Sequence, residues 1–97
     1  MYKIVRLSTG DLVFGTIAKK YSDMSLLVND PRQVIIDNNG MVYLVPYNPF
    51  AAQAQELFNT YAIVSVSDAG DSLVQIYTEA MAEAAKPKKS KDSSALN

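Results

Sequence analysis

At 97 residues, with a formal net charge of −1 and neither cysteine nor histidine, the chain is long enough for one domain with a modest core, whose stability oligomerisation would support. A hydrophobic fraction of 48% against 20% charged residues places it in the globular class, and its apolar runs are too short for a membrane-spanning helix. Without histidine and cysteine, the Ser-His and Cys-His nucleophile systems and the usual zinc sites are excluded. Carboxylate, lysine and tyrosine chemistry remains, and no motif assembles it, so no enzyme, cofactor or metal site is expected. Met1 to Leu7 lacks a signal-peptide core, and the missing cysteine fits a reducing compartment, so a cytoplasmic protein is expected.

Tyr2 to Leu7 and Leu12 to Tyr21 are alternating apolar runs on either side of Gly10-Asp11, which predicts two antiparallel strands joined by a tight turn with positive φ at Gly10. Gly15 interrupts the second run and marks a strong bend or a close backbone approach. A third strand leads up to Asp30, where Pro31 interrupts it, and resumes from Gln33 to Asp37. Asn38-Asn39-Gly40 suits a hairpin turn with two positive φ angles, and Met41 to Tyr47 forms the returning strand. Pro46 within that strand points to a sheet edge or a bulge.

Residues 51–58 contain good helix formers in a segment too short for a secure helix, and a loop with one or two helical turns is expected. Tyr61 to Ser67, with Ile63, Val64 and Val66, reads as the last strand. Five sequential strands joined mostly by tight turns favour a mainly β protein, a small antiparallel SH3-like barrel. Asp68 and Asp71 flank Ala69-Gly70 and follow turn and capping preferences. Ser72 and Gln75 fit a capping box, and Leu73, Ile76, Tyr77, Ala80, Met81 and Ala84 form one apolar stripe, predicting a C-terminal helix over about 72–85 that ends before Pro87. Residues 86–97 are polar and lysine-rich and are expected to be disordered. They carry +3 through Lys86, Lys88, Lys89, Lys91 and Asp92, which leaves residues 1–85 at −4. An acidic body does not supply the broad basic face of a nonspecific nucleic-acid binder; the tail is either a solubilising segment or, clustered on an assembly, an attractor of phosphates.

Leu7, Gly10, Gly15, Thr16, Met24 and Asp30 stand at the spacing of the first motif of the Sm/Lsm family, and the segment Leu7–Asp30 resembles it: an apolar strand broken by a glycine, then a Met-Asn pair opening a strand that ends in an acidic residue. Divergent members occur in phages as well as in cells. The resemblance implies an Sm-fold barrel that assembles into a homo-oligomeric ring of roughly five to seven subunits. In such a ring the strand with Val42, Leu44 and Pro46 pairs with the neighbour's strand carrying Ile63, Val64 and Val66. The family places a helix before its first strand, whereas here the helix follows the last.

The family also binds single-stranded RNA, at a base pocket made by the Met-Asn loop and an Arg-Gly pair. The resemblance carries that site onto Asp23, Met24 and Ser25 and onto Asn59, Thr60 and Tyr61. Ser25 replaces the amide-bearing asparagine and is shorter, while Asn59 and Thr60 stand at the arginine and glycine, so the stacking guanidinium is missing. Tyr21, Phe58 and Tyr61 are the aromatic side chains available as stacking platforms, if they are not core or interface residues. Two readings stay open: a non-catalytic ring that binds single-stranded RNA as chaperone or scaffold, and a structural or protein-interaction ring that has lost RNA binding.

Overall fold

A computed structural model describes residues 1–85; the expected lysine-rich tail and the stop at Pro87 lie outside the described residues. Six strands and one helix follow in chain order: β1 (Lys3–Leu7), β2 (Leu12–Lys20), β3 (Leu26–Ile36), β4 (Val42–Pro46), β5 (Gln55–Phe58), β6 (Ile63–Asp68) and α1 (Asp71–Ala85), with a 3-10 turn over Thr60–Ala62. Every ladder is antiparallel, in the order β4-β3-β2-β1-β6, with β5 also on β3. The protein is therefore mainly β with a C-terminal helix. The expected closed barrel of five strands is instead an open, bent sheet of six, since no ladder joins β6 to β4 or β5.

The extra strand comes from residues 55–58, where helical turns were expected. β3 offers Leu26–Asn29 as an unpaired edge, and β5 fills it, Leu26 opposite Phe58 and Asn29 opposite Gln55. A segment too short to hold a helix alone is settled by that long-range pairing. β4 lies farther along the same side of β3, Arg32 opposite Pro46 and Ile36 opposite Val42. Thus β4 and β5 form one line interrupted by residues 47–54, whose ends are fastened by Tyr47 N–H to the Pro31 carbonyl at 3.0 Å and Asp30 N–H to the Ala54 carbonyl at 2.6 Å.

β3 is one continuous strand rather than two, because Asp30-Pro31 falls where β2 shifts register opposite Gly15. Asp30 has φ 45° and aims its carboxylate out of the ladder. A Cβ on Gly15 would lie 2.6 Å from Val28 Cγ1 and 2.7 Å from the Asn29 carbonyl oxygen, so the expected close approach is present and leaves no room for a side chain.

All three hairpins of the β1–β4 meander turn alike. In each, the first residue's carbonyl accepts from the fourth, its N–H donates to the fifth residue's carbonyl, and the fourth has positive φ: Gly10 at 96°, Met24 at 73° and Gly40 at 81°. This is a type I turn closed by a left-handed residue. The expectation of two positive angles in Asn39-Gly40 is corrected to one, because Asp37 Oδ1 accepts from the Asn39 and Met41 N–H groups and holds Asn39 at negative φ.

The sheet separates two apolar regions. Val5, Leu7, Val13, Leu26, Val28 and Phe58 form the concave core, with Ile17, Tyr47 and Ile63 at its margin. Phe14, next to Val13 and so on the opposite face, is also fully buried, stacked on Tyr2 at 5.0 Å and tilted against Tyr77 at 5.1 Å. Tyr77 belongs to α1, which starts at Asp71, not at a Ser72 cap; the Gly70 carbonyl accepts from Leu73 and Val74, and Gln75 donates to Glu79. Only the first turns of the predicted stripe are covered: Leu73, Ile76 and Tyr77 are half-buried, while Ala80, Met81 and Ala84 are exposed. Hydrogen bonds add to the dock: Tyr77 Oη donates to Asp30 Oδ2 at 2.7 Å, and Arg32 grips both oxygens of Asp30 and reaches Met81 Sδ.

Candidate functional site

The β2–β3 turn and the segment after β5 meet at one end of the sheet. Ser25 joins them: it is 5% exposed, its Oγ accepts from the Thr60 N–H at 3.0 Å, and its own N–H donates to Asp23 Oδ1 at 2.9 Å. Asn59 Oδ1 caps the 3-10 turn by accepting from the Tyr61 N–H at 2.9 Å. The six residues predicted for the site, Asp23, Met24, Ser25, Asn59, Thr60 and Tyr61, are therefore neighbours in space although the two groups lie far apart in the chain.

Two hollows flank this junction. One, of about 350 Å³, is lined by Tyr21, Ser22, Asp23, Ser25, Leu57 and Asn59. The other, of about 470 Å³, has Met24 and Thr60 on one side and runs along β6 over Ile63, Val64 and Val66, with Lys3 and Lys20 at its rim. Met24, which lines the larger hollow, sits on a left-handed backbone that costs a methionine about 1–2 kcal/mol; the hydrogen bonds of the turn hold it there.

The electrostatics of the first hollow are acidic. The Ser25 backbone N–H, and after it the Ser25 hydroxyl, hold the Asp23 carboxyl below its ordinary value, so it carries a full charge at neutral pH. Lys19 lies over the Tyr21 ring at 4.7 Å and brings a cation to the same end. The Ser25 hydroxyl and the Asn59 carbonyl are engaged within the chain, so neither is a ready base-reading group. Tyr61 is different: 90% exposed on a capped turn, it presents its ring to solvent. Phe58 is in the core against Tyr47, ring centroids 5.3 Å apart, which removes it as a stacking platform.

The expected interface residues lie on the two ends of the sheet. Val42, Leu44 and Pro46 share the α1 side of β4, since directly opposed residues point the same way and their partners include Arg32; Val42 and Leu44 are half-buried. Tyr43 and Val45, on the other face, are the exposed apolar side chains of β4, a pair the sequence pattern did not single out. On β6, Ile63 closes on the core while Val64 and Val66 are exposed.

No family model and no curated protein matches the chain. Among the described residues, no helix is long and apolar enough to cross a membrane.

Proposed function

We propose that the chain is an Sm-like subunit of a cytoplasmic homo-oligomeric ring of roughly five to seven copies, which binds single-stranded RNA without catalysis. The observation that carries the reading is a sheet left open at two unlike edges, β4 with β5 and β6, each with exposed apolar side chains: Tyr43, Val45 and Leu57 on the first, Val64 and Val66 on the second. Unpaired apolar edges invite a further strand, and unlike edges on one copy produce a head-to-tail contact, the kind from which a ring forms when the rotation per copy closes. Taking β4 and β5 as one interrupted strand, the order is that of a five-stranded Sm-type barrel with an insertion in its fourth strand. RNA would be held by stacking on Tyr61 and Tyr21, with Lys19 and Lys20 for phosphates, rather than by the amide and guanidinium contacts of the family.

A specific observation favours the second reading, an interaction ring without RNA: the Ser25 hydroxyl, the Asn59 side-chain carbonyl and Asp23 Oδ1 are engaged internally, and Asp23 is charged. Light scattering at micromolar concentration tests the ring, and a monomer would sink it. Titration of labelled oligouridine into the full chain and into a chain ending at Ala85, at low and moderate salt, tests RNA. Saturable, salt-tolerant binding by both supports a base site; loss in the shorter chain alone assigns binding to the tail; no binding selects the interaction ring.

A further inference from the structure

Residues 47–54 present an aromatic knob. Phe50 is 94% exposed, on a loop that is nevertheless held: its N–H donates to Asn48 Oδ1 at 3.2 Å, the Ala51 N–H donates to the Asn48 carbonyl at 3.1 Å, and both ends are fastened to β3. A rigid, fully exposed phenylalanine leaves a large apolar surface in water, and little conformational entropy is lost when it is buried. At the opposite edge of the sheet lies the hollow of about 470 Å³ between Met24, Leu26, Ile63 and Val64. Knob and hole thus lie on the two edges that would meet in a head-to-tail assembly.

We propose that Phe50 of one copy seats in the Met24–Ile63–Val64 hollow of the next copy and locks the ring. This rests on the ring reading and names its anchor. All ladders within the chain are antiparallel; the same pairing across the edge sets the Ile63 end of one copy's β6 beside the Pro46 end of the other's β4. The loop that follows Pro46 then overhangs Thr60, Ile63 and Val64. A parallel pairing would carry Phe50 to the Asp68 end, away from the hollow. Charge agrees as well. Among the described residues Lys3 at the rim already pairs with Asp68 at 2.5 Å, whereas Lys20 has no acidic partner, and the edge that bears the knob carries one charged side chain, Glu56. An anchoring aromatic in a neighbour's pocket is the usual form of an energetic hot spot.

The chain's lack of cysteine makes the contact directly testable. Ala51→Cys combined with Ser65→Cys, which flank knob and hollow and leave Phe50 and Val64 in place, should give a covalent ladder up to the full ring on treatment with a short bis-maleimide, whereas either change alone should stop at dimers. Phe50→Ser should raise the concentration at which the assembly dissociates by about tenfold or more. The circular dichroism spectrum should not change, because the side chain touches nothing within its own copy that the fold needs. A wild-type chain that is monomeric removes the ring reading itself. A wild-type ring that yields no ladder from the double variant and dissociates no more readily with Phe50→Ser leaves the ring reading standing and overturns the Phe50 contact.

Discussion

Gly15 sits where no side chain fits. One of the two atoms that a Cβ would strike, the Asn29 carbonyl oxygen at 2.7 Å, is backbone and cannot rotate away. Gly15→Ala should therefore cost about 1–3 kcal/mol, read as a thermal midpoint several degrees lower; an unchanged midpoint would show that the sheet can open there without penalty. That constraint was legible in the sequence, because a glycine inside an apolar strand gives up packing and strand propensity, a loss that a close backbone approach makes necessary. The Ser25 clamp was not. Its partner, Thr60, lies 35 positions away, and no local pattern announces a hydroxyl that accepts from a distant turn. The resemblance makes Ser25 a shortened substitute for an RNA-binding amide, whereas in the fold its hydroxyl joins two loops.

At the scale of elements, α1 shows how far periodicity reaches. The stripe from Leu73 to Ala84 predicts a helix with one apolar face, and the helix is there, but of that stripe only Leu73, Ile76 and Tyr77 are half-buried, with Met81 touched by Arg32. What fixes it is the Tyr2–Phe14–Tyr77 cluster and the Tyr77–Asp30 hydrogen bond, contacts that no 3.6-residue pattern encodes. Burial, then that bond to a carboxylate, pushes the Tyr77 hydroxyl from 10.0 up to about 12. A folded-state value above the unfolded one means that this stabilisation is complete below pH 10 and is lost as pH rises through about 12. Tyr77→Phe should lower stability by about 1 kcal/mol at neutral pH and remove that part of the alkaline loss. Urea midpoints at pH 8 and pH 11 check it, and a variant whose midpoint falls as far as the wild type's over that interval would refute the assignment. β5 shows the converse at the same scale: residues 51–58 have helical composition, and the vacant edge of β3 overrides it.

For the whole molecule, the order of β1 to β4 followed from the sequence because adjacent hairpins leave few alternatives; the pairing of β6 with β1 and of β5 with β3, and the openness of the sheet, did not, since these are long-range contacts that no local pattern encodes. The proposed assembly through these edges would be sensitive to a single charge. Val66→Lys on β6 should yield a folded monomer, because lysine on an edge disfavours strand addition while its stem still covers the site. Light scattering beside a circular dichroism spectrum distinguishes this from unfolding, and an assembly of unchanged mass would argue against β6 as a joining edge. The fastened loop between β4 and β5 separates length from register. Both of its ends are tied to β3 and the ladder resumes beyond it, so residues 48–53 can lengthen or shorten without sliding any strand, at about 0.6 kcal/mol for each doubling of a flexible loop. The strands on either side of the loop, β4 and β5, therefore keep their register on β3 whatever the length of the loop between them.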